Sequence, residues 1–413
     1  MNINSILTLS LAITGFGLMA VSCSDKTASP NTGTGEDLRV PAPFANQTTR
    51  FAFDITRQVS EQEPAGKNLF VSPLSLHIAL GMILNGADGQ TAQEIQKTLR
   101  LDDQTLTDVN STYQNLMKNL PDIDPKVTLR LANSVWYRNT FTVEPTYKNL
   151  LTDTFRATVS GEDFSSSATV GKINGWASEQ TNGKIPKVID QISPENVLFL
   201  MNALYFKGDW QTRFKTEDTQ DALFTLASGS QKTVRMMRLD TKLRRSFTPT
   251  YTAFELPYGS DRFVMTVILP NKNTTADALL KTLTADDWTQ LQKTLSLGKI
   301  DIGLPKFSFS YDIKLNSVLT SLGMPTAFTD RANFTKISRN GGLLLSSVKQ
   351  NTFVAVDEAG TEAAAVTTGE IMVTSTMPVA YLCDRPFVFV IHEKSSSTIL
   401  FTGKIADPTQ TNP

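Results

Sequence analysis

The chain has 413 residues, of which 40% are hydrophobic and 19% are charged. This composition excludes an intrinsically disordered chain, because there are enough apolar side chains to build a large core. With 39 basic and 40 acidic residues the formal net charge is −1, so the charge indicates neither nucleic acid nor an acidic membrane surface as a partner. Only two cysteines are present, Cys23 and Cys383, which excludes a disulfide-rich scaffold.

The first 22 residues have the features of an export signal. Residues 6–21 form an almost wholly apolar run that is too short and too often broken by glycine to favour a membrane-spanning helix. Small residues then precede Cys23, which resembles a bacterial lipobox, although no Lys or Arg stands before the run. We expect a signal peptide over 1–22 and lipidation of Cys23, with a plain signal peptide and an uncleaved anchor as alternatives.

Residues 23–43 are rich in Ser, Thr, Gly, Pro and Asp, a composition typical of a flexible tether. Two acyl chains at Cys23 would hold such a tether firmly on a bilayer. The sequence thus predicts an exported protein of the cell envelope, such as an outer-membrane lipoprotein, that meets the membrane only through its lipid anchor. Display at the cell surface is left open. Folded structure is expected from Phe44, as one domain over 44–413.

The remaining chain mixes helical and strand-like segments. The pattern over 47–59 favours a helix, and Ser72 with Pro73 predicts a helix start in which serine caps and proline occupies the first turn. Further helices are expected at 170–181 and 313–322. Apolar or alternating runs predict strands at 129–137, 197–206, 263–269, 300–311, 343–356, 386–391 and 399–403. Long helices combined with large sheets indicate an α+β fold.

No set of residues suitable for catalysis stands out. A nucleophile needs a base within reach, and neither His77, in an apolar helix, nor His392, in a strand, has a recognisable acidic partner in the sequence. Zinc-ligand spacing and phosphate-binding loops are absent from the sequence as well. We therefore expect no enzyme activity, no metal site and no cofactor.

Several short motifs follow one another in an order typical of one family. Each is weakly specific alone, but together they resemble the serpin family over about residues 44–408. The motifs are Asn-Leu-Phe-Val-Ser-Pro-Leu-Ser at 68–75, Ile-Asn-Gly-Trp at 173–176, Thr-Asn-Gly-Lys-Ile at 181–185, Asn-Ala-Leu-Tyr-Phe-Lys-Gly-Asp-Trp at 202–210, Leu-Pro-Lys-Phe at 304–307, Asp-Glu-Ala-Gly-Thr-Glu-Ala-Ala-Ala at 357–365, Pro-Phe-Val-Phe at 386–389 and Phe-Thr-Gly-Lys at 401–404.

The resemblance implies a serpin fold with three β-sheets, eight or nine helices and an exposed reactive centre loop over about 358–384. It implies a suicide-substrate inhibitor and not an enzyme: a target serine protease attacks the loop, and the cut loop inserts into the main sheet and traps the acyl-enzyme. We expect a monomer whose partners are serine proteases, with cysteine proteases as further targets. A non-inhibitory serpin that acts as a binding or chaperone-like protein is the alternative.

The residue pattern of the hinge, where the reactive loop begins, suits insertion. Successive side chains of a strand point to opposite faces. From Thr361 onward, one alternate set is small and uncharged: Thr361, Ala363, Ala365, Thr367 and Gly369. The other set carries both carboxylates: Glu362, Ala364, Val366, Thr368 and Glu370. One face can therefore enter a packed interior, and Gly360 is expected to give the backbone freedom to hinge. By resemblance the hinge comprises Glu358, Gly360, Thr361, Glu362, Ala363, Ala364 and Ala365.

The resemblance implies two further groups of residues that control sheet opening. The shutter, where the sheet parts, corresponds to Ser72, Ser75, Asn202 and Gln350. The family usually has histidine at the last of these positions, but glutamine can also donate and accept hydrogen bonds. The breach, at the top of the sheet, corresponds to Trp210, Lys306 and Glu358. An ion pair between Lys306 and Glu358 would favour the uncut state.

The position of the cut follows from family spacing. Counting from Glu358 places it between Thr374 and Ser375, counting back from Pro386 places it one residue later, and Val373 is the next choice. No Lys or Arg occurs from 359 to 384, which disfavours trypsin-like proteases. The small apolar residues of this window favour elastase-like or subtilisin-like serine proteases, with papain-like cysteine proteases as an alternative.

Overall fold

The computed structural model describes residues 37–361 and 381–410. Within these ranges the α-helices are α1 Ala42–Gln62, α2 Pro73–Gly86, α3 Gly89–Thr98, α4 Leu106–Asn119, α5 Pro145–Phe155, α6 Ser167–Gln180, α7 Ala276–Thr282, α8 Ala285–Thr294 and α9 Asn316–Leu322. The strands are β1 Leu69–Val71, β2 Val127–Arg138, β3 Thr158–Glu162, β4 Leu198–Asp209, β5 Gln220–Thr225, β6 Gln231–Phe247, β7 Tyr251–Pro257, β8 Phe263–Pro270, β9 Ser296–Pro305, β10 Phe307–Lys314, β11 Lys349–Val356, β12 Gly360–Thr361, β13 Tyr381–Leu382, β14 Phe387–Glu393 and β15 Ile399–Ile405.

The described strands form two hydrogen-bonded sheets. The smaller has the order β10-β11-β12-β4-β2-β3, and the larger has the order β1-β15-β14-β8-β7-β6-β9-β13, with β5 also paired to β6. The α+β prediction is confirmed, but two of the three expected sheets are joined. The reason is the length of β6, whose last three residues pair with β7 while most of the strand pairs with β9 and β5.

Helix α2 is buried on all sides. As predicted, it starts at Pro73 behind the cap Ser72, whose Oγ accepts the backbone N–H of Ser75 at 3.3 Å. Nearly every residue of α2 is buried, which explains why its apolar residues are spread around the helix and not along one face. The first turn of α2 is thereby fixed in the core, where it can contact strands of the smaller sheet.

Two segments differ from the expected elements. The run over 300–311 is two strands, because the chain leaves the larger sheet at Pro305 and enters the smaller one at Phe307. Lys306 lies at the crossing point, and its backbone N–H is donated to the carbonyl of Arg235 at 2.9 Å. The helix expected at 313–322 begins only at Asn316, since Ile313 still pairs with β11.

The strand expected at 343–356 begins at Lys349. The preceding residues form a loop held by Asn316, whose Oδ1 accepts the backbone N–H of Val348 at 2.9 Å and whose Nδ2 is donated to the carbonyl of Ser346 at 3.0 Å. Hydrogen bonds from the Asn316 side chain satisfy the loop backbone, so the loop needs no strand partner. The apolar residues at 343–348 therefore predicted a longer strand than the one that forms.

The folded body also begins earlier than the expected boundary at residue 44. Helix α1 starts at Ala42, and Leu38 is buried while donating its backbone N–H to Ser395 Oγ at 3.2 Å. Asp37 forms an ion pair with Arg262. The end of the predicted tether is therefore part of the fold, while the predicted lipidation residue Cys23 lies outside the described residues.

Among the helices of the described chain, none combines the length and apolar character needed to cross a membrane.

Candidate functional site

The beginning of the expected reactive loop is already a strand of the smaller sheet. Gly360 and Thr361 form β12, which pairs antiparallel with β11 on one side and β4 on the other. Thr361 lies opposite Val356 of β11 and opposite Gly208 of β4. The two residues thus separate β11 from β4 at one end of the sheet.

Gly360 is required there by close packing and not by an unusual backbone angle. Its φ is not in the left-handed region, but a Cβ at this position would collide with the carbonyl of Gly208 and lie 2.7 Å from the Cα of Asp209. We expected glycine here because it lets the backbone hinge. In the observed state, glycine is needed because a Cβ would not fit.

A stack of aromatic rings holds the inserted residues. The side chain of Thr361 is buried, and its Oγ1 is 2.6 Å from the hydroxyl of Tyr258. The ring of Tyr258 stacks on Trp210 with centroids 4.4 Å apart. Trp210 donates its backbone N–H to the carbonyl of Ala359 at 2.8 Å and its Nε1–H to the carbonyl of Asp357 at 2.9 Å. The sequence pattern identified Trp210 but not Tyr258, which lies far from the hinge along the chain.

Glu358 is buried, and both of its carboxylate oxygens accept hydrogen bonds. One carboxylate oxygen accepts from Lys306 Nζ at 2.7 Å, and the other accepts from Thr219 Oγ1 at 2.8 Å. Burial alone would raise the pKa of Glu358, but the bonds from Lys306 and Thr219 outweigh it and lower the pKa below its usual value. The carboxylate is therefore ionised at neutral pH and fixes the residue before the inserted strand, with Thr219 as a partner that the sequence did not indicate.

Asp357 shapes the turn into β12. Its Oδ1 accepts the backbone N–H of Ala359 at 2.9 Å and that of Gly360 at 3.2 Å. Its own N–H is donated to the carbonyl of Gly360 at 3.0 Å. Burial raises the pKa of Asp357, although the two backbone N–H groups act in the opposite direction. The turn is thus built from the same short segment that carries the hinge motif.

Beyond β12, the facing edges of the two flanking strands have no hydrogen-bonded partner among the described residues. In the described part of the chain, no register joins β4 directly to β11. From Val356, opposite β12, to Lys349 at the start of β11 the edge continues for seven more residues, about 23 Å at about 3.3 Å per residue. Among the described residues, the interval between β4 and β11 below the hinge is therefore long enough for a further strand segment, and we call this interval the slot.

One half of the expected shutter joins β11 to the first turn of α2. Gln350 Oε1 accepts the backbone N–H of Ser72, and Gln350 Nε2 donates to the carbonyl of Ser72, both at 2.9 Å. Ser72 Oγ in turn donates to the carbonyl of Leu400 at 2.8 Å. Glutamine thus makes two bonds to one residue from the position that the family usually gives to histidine.

The other half joins β4 to the same turn of α2. Ser75 Oγ donates to Asn202 Oδ1, and Asn202 Nδ2 donates to Asn133 Oδ1 at 2.7 Å. Asn133, on β2, also donates its Nδ2–H to the carbonyl of Phe155 at 2.8 Å. Asn133 is buried and was missed by the sequence analysis, although an amide in the middle of an apolar strand is a usable signal because buried amides need partners.

The far end of the loop joins the other sheet. Tyr381 and Leu382 form β13, parallel to β9, and Cys383 donates its backbone N–H to the carbonyl of Gly303 at 2.8 Å. Cys383 is a free, buried thiol whose pKa is raised by burial. The loop is therefore anchored on the smaller sheet at Thr361 and on the larger sheet at Tyr381.

Several expected residues fall between these anchors. The rest of the hinge (Glu362, Ala363, Ala364 and Ala365) and the expected cut site (Val373, Thr374 and Ser375) lie outside the described residues.

The two histidines are both buried in aromatic surroundings. His77 Nδ1 is 2.8 Å from the hydroxyl of Tyr113, and burial lowers the pKa of His77 to about 4. His392 Nε2 is 3.2 Å from Thr266 Oγ1, and burial lowers the pKa of His392 to about 3. Both rings are therefore neutral at neutral pH and are packed as core residues.

Comparison with known proteins places this geometry in context. The family profile described as Serpin (serine protease inhibitor) matches residues 46–408. The leukocyte elastase inhibitor of Sus scrofa is 35% identical over 374 residues, which cover 87% of this chain and 98% of that protein. An uncharacterized serpin-like protein of Thermococcus kodakarensis is 31% identical over 373 residues, 89% of this chain and 86% of that protein.

Solved structures share the fold at similar identity. The thermophilic serpin tengpin in its native state has a TM-score of 0.80 and 32% identity, covering 90% of this chain and 96% of tengpin. Thyroxine-binding globulin in complex with thyroxine also has a TM-score of 0.80, at 26% identity, covering 89% of this chain and 99% of that protein.

Proposed function

Because the chain belongs to the serpin family, we propose that it is a suicide-substrate inhibitor of serine proteases. A target protease would cut the loop between Thr361 and Tyr381, and the cut loop would enter the slot between β4 and β11 while still joined to the protease. The intact molecule is then a kinetically trapped state, because a more completely paired sheet is available to it.

The observation that carries this proposal is the register of β12. Continued in the same antiparallel register, Ala363 would lie between Val354 and Phe206, both of which are buried. Directly opposed residues in a sheet point to the same face. The small, uncharged set that begins at Thr361 would therefore face the core, and the glutamates Glu362 and Glu370 would face away from it.

The same register explains why the shutter must open. Thr367 would lie between Gln350 of β11 and Asn202 of β4. These two side chains are bound to Ser72 and Ser75 in the first turn of α2. Insertion of the loop would therefore require β4 and β11 to separate at the points where α2 holds them. Breaking these contacts would form the kinetic barrier that keeps the loop out of the sheet.

The target class follows from the loop sequence and from the relatives. No Lys or Arg lies between residues 359 and 384, and a relative at 35% identity is a leukocyte elastase inhibitor. We infer elastase-like or subtilisin-like serine proteases as targets, with cysteine proteases as a second class. The bond after Thr374 is the first choice for the cut, followed by the bonds after Ser375 and Val373.

We also propose that the protein acts as a monomer on the cell envelope, exported by residues 1–22 and lipidated at Cys23. The support is the small-residue motif before Cys23 and the tether composition that follows it. Radiolabelled palmitate incorporation, compared between wild type and Cys23→Ala, tests this part. Equal labelling of the two proteins would contradict it and would leave the inhibitory function untouched.

The inhibitory function is tested with elastase and denaturing gels. Wild type should form a covalent complex that survives SDS. Ala363→Glu would bury an unpaired carboxylate between Val354 and Phe206 at a cost of several kcal/mol, so we expect cleavage without complex. The matched control Thr368→Glu places its carboxylate on the opposite face beside exposed Lys349 and should keep forming complex.

Clean cleavage of wild type without any complex would contradict the inhibitory proposal and would favour a non-inhibitory binding protein. Equal complex yield from Ala363→Glu and Thr368→Glu would contradict the register.

A further inference from the structure

A cleft of about 350 Å³ lies at the edge of the smaller sheet, away from the slot. It is lined by residues 129–133 of β2, by Trp176 and Gln180 of α6, by Met117 of α4 and by Arg156 at the end of α5. One wall thus belongs to the sheet that must accept the loop, and the other walls belong to helices packed around that sheet.

The cleft follows the backbone edge of β2. Side chains of a strand alternate between faces, so a cleft that touches five consecutive residues must run along the edge of the strand. β3 pairs with β2 only from Ser134 onwards. Within the described chain, the outer edge over 129–133 therefore has no strand partner, and its outward backbone N–H and C=O groups are available for one.

Two arginines give the cleft a positive charge. Arg130 Nη1 donates to the carbonyl of Glu179 at 3.2 Å, and Arg156 Nη1 donates to the carbonyl of Met117 at 3.4 Å. Nine of the sixteen arginines in the described residues form ion pairs, but no described carboxylate lies within ion-pair distance of Arg130 or Arg156. The guanidinium of Arg130 also lies over the ring of Tyr205, 6.0 Å from its centroid. Each of the two guanidinium groups has further N–H groups, which can bind a carboxylate in bidentate fashion.

We propose that this cleft binds an extended peptide segment that carries a carboxylate, as an added strand beside β2. Backbone pairing with the free edge would supply affinity. Arg130 and Arg156 would select the carboxylate, either of an acidic side chain or of a chain terminus. The apolar wall around Trp176 and Met117 would accept one side chain of the segment.

Such a ligand would also act on the slot, a consequence that rests on the proposed inhibitory function. The cleft reaches Asn133, which binds Asn202 of β4 at 2.7 Å. A peptide that bridges β2 to α4 and α6 would tie the β2–β4 side of the sheet to the helices around it. We expect it to slow loop insertion by resisting the separation of β4 from β11.

Binding is tested by fluorescence anisotropy with Thr-Val-Glu-Val-Thr-amide, labelled with a dye at its N-terminus, and the full-length protein. The Glu-to-Gln peptide should bind about tenfold more weakly, which is the combined effect expected for two exposed ion pairs. A peptide N-methylated at alternate amides keeps its charge but cannot pair as a strand, so it should not bind. A Gln peptide with a free C-terminus distinguishes a terminal carboxylate from a side-chain one.

Protein variants locate the site. The double variant Arg130→Gln, Arg156→Gln should lose about as much affinity as the Gln peptide loses. Lys272→Gln removes an exposed cation that does not line the cleft and should bind as wild type does. Unchanged thermal midpoints show that the variants are folded. Equal binding of the Glu and Gln peptides, or of the double variant and wild type, would overturn the proposal, as would tight binding of the N-methylated peptide.

The binding assay contains no protease, so its failure leaves the inhibitory function unaffected. Failure of the elastase gel assay, in turn, leaves the binding result standing. The effect of the bound peptide on loop insertion is measured as the rate of complex formation with elastase. Saturating Glu peptide should lower this rate, and the Gln peptide should leave it unchanged. An unchanged rate at saturation would refute the coupling to the slot.

Discussion

The replacement Gln350→Glu tests how firmly α2 holds β11. Gln350 makes two hydrogen bonds of 2.9 Å to the backbone of Ser72, one as acceptor and one as donor. A carboxylate of the same shape keeps the first bond but turns its second oxygen toward the carbonyl of Ser72. A buried acceptor left without its donor costs about 1–3 kcal/mol. With the added cost of a buried charge, we expect the free energy of unfolding to fall by at least about 2 kcal/mol at pH 8.

The loss should depend on pH in a defined direction. Burial and the facing carbonyl of Ser72 would raise the pKa of the introduced carboxyl above about 4.3, its value in an unfolded chain. Protonation restores a donor toward that carbonyl. The destabilisation is therefore absent below the unfolded-state pKa and develops as the pH rises through the folded-state pKa. Urea unfolding of the variant and wild type at pH 4, 6 and 8 measures this dependence.

The same variant should also convert more readily to an inserted, inactive form. Loosening β11 from α2 lowers the barrier to sheet opening, so inhibitory activity should decay faster on storage at pH 8 than in wild type. Gln191→Glu, at an exposed position, is the matched control. An unfolding midpoint at pH 8 equal to that of wild type, or a loss of the same size at pH 4 and pH 8, would refute the role assigned to Gln350.

Three further variants test neighbouring contacts. Gly360→Ala should expel β12 from the sheet, making the hinge sensitive to limited proteolysis by non-target proteases; wild-type resistance would contradict the steric requirement. Lys306→Met should cost about 1–2 kcal/mol in urea unfolding at neutral pH, because Lys306 is a third exposed and exposure weakens the pair. That cost should shrink as Glu358 becomes protonated in acid, and a pH-independent cost would count against the ion pair. Asn133→Ala should cost about 1–3 kcal/mol and speed hydrogen exchange around Asn202; unchanged exchange would argue against that link.

Periodicity and capping predicted the local elements well. The strand expected at 263–269 is β8, the strand expected at 129–137 lies within β2, and the helix start at Ser72 and Pro73 is where the sequence placed it. These features depend on neighbours in the chain, such as a cap and its first turn or alternate residues of one strand. The fold class followed from them.

Contacts between distant segments were predicted only where family motifs pointed to them. Tyr258 supports the hinge residue Thr361, and Asn133 completes the contact between Ser75 and Asn202. Both lie in strands whose apolar pattern is ordinary, so no local signal identifies their partners. The break at Lys306 was hidden for the same reason, since the side-chain alternation continues through it while the chain changes sheets.

Thermal unfolding of the intact and the loop-cut molecule tests the central claim most directly. If the segment after Thr361 fills the slot between β4 and β11, the cut molecule gains a paired, buried strand and should unfold at a clearly higher temperature than the intact one. A cut molecule that unfolds at the same temperature as the intact one, or lower, would contradict the account.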